Sequence, residues 1–221
     1  MLNDVTVFNI REYLSAKGDK DLGEDELRQL LSEFFCDKNP DVERFLKEQS
    51  IEFTKKNQSV TYLVFSNEDA SLVGYFTITI KPITVNAENF SNTMKRKIAR
   101  VSELDEENGT YTLSAYLIAQ LGKNFKDGAN EKITGEQLLQ AAVDTIKELQ
   151  YMAGGMVIFL EADDNDKLMH FYEDENGFKR FDTKEVKAGT ENEHTGRCGH
   201  CDGCAIPAES VLCGGAPCEN R

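Results

Sequence analysis

The stretch AYLIAQLG, residues 115–122, reads as a buried strand and is the most informative segment for the class of fold. A loop that contains glycine follows over residues 123–133. Residues 134–137, TGEQ, then have the spacing of a capping box, in which Thr and Gln satisfy each other's backbone donors. The apolar face of the predicted helix extends to Leu149, and the run MVIFL at residues 156–160 is typical of a central strand. Strand, loop, helix and strand in this order predict a right-handed crossover in a mixed α/β fold.

Two amphipathic helices and a hairpin precede this segment. The first helix is predicted from Gly23, and the second from Pro40, with one apolar side formed by Val42, Phe45, Leu46 and Phe53. Residues 60–65 and 72–80 are rich in β-branched and aromatic side chains and are joined by a polar turn. They therefore predict an antiparallel hairpin, which Pro82 should end.

The net charge of the chain indicates which classes of partner it is expected to bind. The chain has 25 basic and 39 acidic residues, a net charge of −14, which disfavours binding to phosphate backbones and to anionic lipids. The only dense basic cluster consists of Lys95, Arg96, Lys97 and Arg100. No apolar run approaches the roughly 18 residues that cross a bilayer, and the first residues do not resemble a signal peptide. We therefore expect a cytoplasmic protein that binds neither membranes nor nucleic acid.

The segment 165–178 carries the most specific pattern in the chain. An asparagine stands seven residues before the tyrosine of the FYE run at 171–173, and GF follows at 177–178. This arrangement is similar to the asparagine, FYE and GF pattern near the end of GNAT N-acetyltransferases. The order of elements over residues 22–182 agrees with that family, and the run LIAQLGKN at 117–124 resembles a subgroup common in Gram-positive bacteria.

The resemblance implies a fold and a co-substrate. The fold would be a central, mostly antiparallel sheet flanked by helices, with a V-shaped opening between the strands at 115–121 and 156–160 that admits acetyl-CoA. The pantetheine arm would pair with the backbone of Ala119, Gln120 and Leu121, and Asn165 would either bind that arm or cap its helix. The pyrophosphate would lie on the backbone N–H groups of Lys132, Ile133, Thr134, Gly135 and Glu136.

Two features depart from the usual GNAT pattern. The family's loop reads Q/R-x-x-G-x-G/A, and when Gly135 is aligned with its last position, Asn130 and Ile133 stand at the other two. Only one of the three motif positions is therefore kept. The spacing between Glu173 and Gly177 is also one residue longer than the commonest one.

The resemblance also implies catalytic roles. Tyr172 stands at the position of the family's general acid; a tyrosine, with an ordinary pKa of about 10, stays protonated at neutral pH and can donate to a departing thiolate. Glu161, at the end of its strand, is the candidate general base, although strand-end carboxylates are often simply solvated. We interpret His170 as a surface or packing residue with no nearby partner, and Cys36 as a buried thiol.

Five of the six cysteines fall in the last 24 residues. We therefore predict an acetyltransferase domain over residues 1–187 and a Cys-rich tail over 188–221. The spacing of Cys198, Cys201 and Cys204, with Cys213 as a fourth ligand, suits tetrahedral zinc, while disulfides and a disordered tail remain alternatives. No apolar strand is recognisable after Val186, which would leave an edge of the sheet open.

The function that the resemblance implies is transfer of an acetyl group from acetyl-CoA to a primary amine of a small molecule or a protein, by a monomer or a homodimer. One alternative is a toxin-like acetyltransferase acting on aminoacyl-tRNA, which would use the basic cluster at residues 95–100 to contact phosphate. The other is a non-catalytic module that binds acyl-CoA or a partner.

Overall fold

The computed structural model describes residues 4–15, 23–162, 166–181 and 204–207, and the chain divides into two compact units. Unit 1 consists of Met1–Thr79 and Ile118–Glu148, and unit 2 of Ile80–Leu117 and Leu149–Arg221.

Unit 1 contains most of the helices. Its elements in chain order are β1 (Val5–Asn9), α1 (Ile10–Ser15), α2 (Glu24–Ser32), α3 (Pro40–Arg44), a π-helical turn (Phe45–Gln49), α4 (Ser50–Lys55), β2 (Val60–Ser66), and the greater part of β3, whose full range is Leu72–Asn86. The strands run in the order β1-β2-β3. The end of a further strand, β5 (Thr110–Lys123), lies beside β3. The predicted hairpin is confirmed, because β2 and β3 pair antiparallel with Leu63 opposite Tyr75.

Strand β1 was not predicted from the sequence. It pairs antiparallel with β2 along its whole length, with Val7 opposite Val64, and it forms the edge of the sheet. Most of its side chains are half-buried, so the strand has no consistently buried face. The run VTVFN accordingly shows no sustained apolar pattern that would distinguish it from a loop.

The predicted start of the second helix, at Pro40, is confirmed. The side chain of Asn39 accepts hydrogen bonds from the N–H groups of Asp41 and Val42, as a cap. The predicted apolar side is confirmed for Phe45 and Phe53, whose rings pack edge-on with centroids at 5.6 Å, although Phe53 is 37% exposed. The π-helical turn adds one residue to a turn of the helix, which rotates everything after it relative to an ideal 3.6-residue repeat.

The expectation that Pro82 ends the hairpin is also wrong. Strand β3 continues through it to Asn86 because Ile83 and Val85 are buried, while Lys81 and Pro82 are exposed. Proline is compatible with a strand where its missing N–H is not needed for pairing.

Unit 2 contains the remaining elements: the end of β3, a 3-10 turn (Ala87–Asn89), α5 (Asn92–Ile98), β4 (Leu104–Asp105), the start of β5 (Thr110–Lys123), β6 (Val157–Glu161), α7 (Asp166–Met169) with a π-helical turn (His170–Glu175), β7 (Phe178–Phe181) and β8 (Cys204–Pro207). The order of strands is β5-β6-β8-β7, and β4 pairs with β5.

Strand β8 lies in the Cys-rich tail, where no strand was recognised. It pairs antiparallel with both neighbours, with Ala205 opposite Leu160 of β6 and opposite Arg180 of β7. A strand therefore does follow Val186, contrary to the expectation that none does. Ala205 lies 45 positions from Leu160 and 25 from Arg180, and local composition does not reveal such pairings.

The helix α6 (Gly135–Ala153) confirms the predicted capping box and apolar face, with Leu138, Leu139, Ala142 and Ile146 buried. A 3-10 segment (Lys126–Glu131) occupies the loop before it. Within the described part of the chain, no helix is both long and apolar enough to span a membrane.

Candidate functional site

The start of α6 presents a small set of free backbone donors in unit 1. The N–H of Thr134 donates to the side chain of Gln137 at 2.8 Å, and the N–H of Gln137 donates to Thr134 Oγ1 at 3.0 Å. The N–H of Lys132 donates to the carbonyl of Ala129. Of the five predicted pyrophosphate donors, Lys132 and Thr134 are therefore occupied. No partner among residues 4–15, 23–162, 166–181 and 204–207 accepts from the other three, Ile133, Gly135 and Glu136. Because Ile133 is buried, only Gly135 and Glu136 can present their N–H groups to a ligand.

Positive charge surrounds the loop that leads to these donors. Burial, with Lys38 nearby, lowers the pKa of Lys123, and the ammonium of Lys38 lies 4.5 Å from the centre of the Phe125 ring. Lys132 forms an ion pair with Asp69. Its hydrogen bond to Asp69, together with bonds from Ser71, lowers the pKa of that carboxyl to about 2. Exposed N–H groups and neighbouring cations are the usual setting for a phosphate group.

The buried side chain of Asn124 holds this loop in place, a role that sequence analysis missed. Its Oδ1 accepts from the N–H groups of Phe35 at 2.9 Å and of Lys126 at 3.1 Å, and its Nδ2 donates to the carbonyl of Leu72 at 2.8 Å. Asn124 is the last residue of the run LIAQLGKN, which resembles a GNAT subgroup, so the sequence did mark this position. The hydrogen-bond partners of its side chain cannot be inferred from a single sequence.

The predicted pantetheine-pairing residues Ala119, Gln120 and Leu121 are half-buried residues of β5 in unit 1. Next to them, Gly122 fits only as glycine. A Cβ at Gly122 would lie 2.4 Å from Val42 Cγ1. These three residues stay predicted binding residues.

The predicted acid, Tyr172, lies in unit 2 within the π-helical turn after α7. Its ring packs edge-on against Phe171 and Phe178, with centroids at 5.0 and 6.0 Å. Burial raises the pKa of Tyr172, so the phenol is protonated at neutral pH. Its hydroxyl has no hydrogen-bond partner among the described residues, and it is free to donate to a ligand.

The remaining residues singled out from the sequence differ in their exposure and in their partners. Glu161 is exposed at the end of β6, and its backbone lies opposite Cys204. Asn165 lies outside the described residues. His170 is a surface residue, as expected, but it does have a partner, because its Nδ1 lies 2.7 Å from Asp174 Oδ2. Cys36 is buried, and burial raises the pKa of its thiol.

The predicted zinc ligands Cys198, Cys201 and Cys213 lie outside the described residues. Cys204 belongs to β8, but its side chain is not described. In the ranges that the structure does describe, no group of three or more His, Cys, Asp or Glu side chains could hold a metal ion. Zinc binding by the tail and the domain boundary at residue 187 stay predictions.

The basic cluster lies on and just after α5, in unit 2. The helix is capped by Ser91, whose Oγ accepts from the N–H of Met94 at 3.3 Å, and it is anchored by the buried Ile98. None of the four basic residues, Lys95, Arg96, Lys97 and Arg100, has an acidic partner among the described residues. Seven other Lys and Arg residues do, and all of them are in unit 1.

Comparison with known proteins identifies the fold. No protein-family model and no curated protein matches the chain. Solved structures do match. The chain is similar to "AtaT complexed with acetyl-methionyl-tRNAfMet", with a TM-score of 0.58, 15% identity and coverage of 94% of this chain and 97% of that one. It is also similar to a tyrosine-to-phenylalanine mutant of KacT, with a TM-score of 0.57, 16% identity and coverage of 95% and 98%.

A third structure adds a co-substrate and a protein partner. It is an AtaT mutant toxin bound to acetyl-CoA and to the C-terminus of the antitoxin AtaR, with a TM-score of 0.54, 15% identity and coverage of 95% of this chain and 96% of that one. These toxins have the GNAT fold, and the mixed sheet flanked by helices described above agrees with it. The chain therefore has the fold of the GNAT acetyltransferases, as the pattern at residues 165–178 predicted.

Proposed function

We propose that the chain is an N-acetyltransferase that uses acetyl-CoA and that its acceptor is the amino group of an aminoacyl-tRNA. The observation that carries the choice of acceptor is the unpaired basic cluster on α5. Four cations without acidic partners in the described structure form a local positive surface on a molecule of net charge −14. Tight binding of a nucleic-acid backbone depends on neutralising phosphates with such side chains.

The neighbouring structures support this acceptor over a small-molecule amine. One of them is AtaT with acetyl-methionyl-tRNAfMet, and another contains acetyl-CoA. The expectation that nucleic acid is not a partner, which rested on net charge alone, is weakened. Net charge describes the whole chain, whereas binding depends on where the cations lie.

Binding of acetyl-CoA is supported by unit 1. The free N–H groups of Gly135 and Glu136 at the start of α6 suit the pyrophosphate. The strand residues Ala119 to Leu121 would pair with the pantetheine arm. The lost glycines of the family's loop matter little for this purpose, since the donors are backbone groups.

Acetyl transfer requires an acid, and Tyr172 supplies it in this proposal. The neutral amine attacks the carbonyl carbon of the thioester, so a C–N bond forms and the C–S bond then breaks. The thiolate leaves with the electron pair of that bond and takes the phenolic proton of Tyr172, and the nitrogen releases a proton to solvent or to Glu161. The raised pKa of Tyr172 keeps the phenol protonated at neutral pH, so that a proton is available when the thiolate leaves.

The experiment compares Tyr172→Phe with the parent chain in acetyl transfer to charged tRNA. We expect kcat to fall at least tenfold while the Kd for acetyl-CoA stays unchanged, since the ring is kept and only the proton is lost. The matched control is Tyr151→Phe, because Tyr151 is 94% exposed at the end of α6 and should leave the rate unchanged. Equal rates for Tyr172→Phe and the parent would remove Tyr172 as the acid.

A further inference from the structure

Unit 1 contains a cavity of about 390 Å³ that the proposed function does not use. One wall is formed by the edge strand β1 through Val5 and Val7, and α1 contributes Glu12. The opposite wall is one face of α6, where Asp144 and Glu148 lie one turn apart. The cavity is therefore lined by both aliphatic and acidic side chains.

Tyr62 of β2 forms the floor and is the polar group that points to a ligand. Only 9% of Tyr62 is exposed, and its ring stacks on Phe76 with centroids at 5.2 Å and planes 15° apart. Its hydroxyl has no hydrogen-bond partner in the described part of the chain. Burial raises the pKa of Tyr62; Arg11 opposes this, while Glu148 and Glu12, which line the same cavity, raise the pKa further.

The charges of the cavity are only partly neutralised. Asp144 pairs with Lys147 at 3.2 Å, whereas neither Glu12 nor Glu148 has a cationic partner among residues 4–15, 23–162, 166–181 and 204–207. No group of three or more His, Cys, Asp or Glu side chains in that part of the chain could hold a metal ion. The arrangement suits an elongated cation with separated charges better than a divalent ion.

We infer that this cavity binds an aliphatic polyamine. The methylene groups would pack on Val5, Val7 and Ala141, and the ammonium groups would donate to the carboxylates of Glu12 and Glu148 and to the oxygen of Tyr62. An ammonium group can donate to the hydroxyl oxygen of Tyr62 and to unpaired carboxylates at once. This site is independent of acetyl transfer and is not proposed as an acceptor site.

The test is calorimetric titration of the full chain with spermidine, without acetyl-CoA. We expect saturable binding of one spermidine, and no binding of an uncharged aliphatic diol of similar length. Tyr62→Phe should weaken binding about tenfold, because a hydrogen bond to a charged group is lost while the stacked ring remains. Glu148→Gln should weaken it about two- to fivefold, since the carboxylate is exposed to solvent.

The matched control is Glu48→Gln, which removes the same charge from an exposed position in the π-helical turn after α3. It should leave spermidine affinity unchanged. If Glu48→Gln weakens binding as much as Glu148→Gln, or if Tyr62→Phe has no effect, spermidine is attracted only by the overall negative charge and the inference is wrong. Because this experiment measures spermidine binding, a negative result does not contradict the proposed acetyl transfer. A failure of acetyl transfer likewise does not contradict spermidine binding.

Discussion

The hydroxyl of Tyr116 donates a hydrogen bond of 2.8 Å to the carbonyl oxygen of Gly154, and this bond joins β5 to the turn between α6 and β6. The turn depends on two glycines with positive φ, Gly154 at 78° and Gly155 at 99°. The Cα of Gly155 faces the same tyrosine ring closely, because a Cβ at Gly155 would lie 2.6 Å from Tyr116 Cε2.

The first prediction concerns Gly155→Ala. The added methyl must displace the Tyr116 ring and weaken its hydrogen bond, and the residue also adopts a strained φ, so we expect a loss of about 2–4 kcal/mol in the free energy of unfolding. Gly154→Ala is the matched control, since a Cβ there meets no atom within 4 Å and only about 1 kcal/mol of backbone strain is expected. Urea unfolding measures both; equal losses would show that the contact with Tyr116 is unimportant.

The second prediction concerns the buried carboxamide of Asn124. Asn124→Ala leaves the N–H of Phe35 and the carbonyl of Leu72 without their partner, so we expect a loss of about 2–4 kcal/mol in the free energy of unfolding. Because the loop before α6 is tethered by Asn124, affinity for acetyl-CoA should fall as well. Asn89→Ala, at an exposed position, should change neither quantity. A stable Asn124→Ala protein with unchanged affinity would contradict the role assigned to this side chain.

The third prediction concerns pH. Lys132 and Ser71 lower the pKa of Asp69 from 3.8 to about 2, so folding is favoured by the charged carboxylate above the unfolded-state pKa. That contribution is fully present above about pH 5 and is lost as the pH falls through 4 towards 2. Asp69→Asn should therefore be less stable than the parent at neutral pH, with the difference vanishing near pH 2. An NMR titration giving Asp69 an ordinary pKa near 4 would refute the ion pair.

The fourth prediction concerns the basic cluster on α5. Changing Lys95, Arg96, Lys97 and Arg100 to Gln together should weaken tRNA binding and reduce the slope of log K against log salt by about three. The control changes four basic residues of unit 1 that already have acidic partners, Arg28, Arg44, Lys47 and Lys55, to Gln. Net charge changes equally in both proteins. The same slope change in both would mean that tRNA senses total charge and not α5.

The sequence predicted those parts of the fold that depend on local patterns. The capping box at Thr134 and Gln137 and the hairpin of β2 and β3 are both set by short-range chemistry. The π-helical turn at Phe45–Gln49 was not predicted, because such a turn has no recognisable sequence signature. The extra residue before Gly177 has the same explanation, since a π-helical turn at His170–Glu175 accommodates it.

The candidate site was only partly predictable from the sequence, because some of its contacts join residues that are far apart along the chain. Tyr172 could be proposed from a pattern of neighbouring residues, and its burial agrees with the role of an acid. The bonds of Asn124 join residues about 50 to 90 positions apart, and the pairing of β8 with β6 spans more than 40 positions. Contacts of that range depend on the folded chain and leave no mark in a local pattern.

The most direct test of the account is transfer of radiolabelled acetyl groups from acetyl-CoA to charged tRNA by the purified full chain. The account predicts label on the amino acid esterified to tRNA, with transfer abolished when the tRNA is uncharged and reduced at least tenfold by Tyr172→Phe. If charged tRNA stays unlabelled while the chain binds acetyl-CoA and acetylates a small amine, the proposed acceptor is wrong. If no acetyl-CoA binds at all, the proposed activity is wrong.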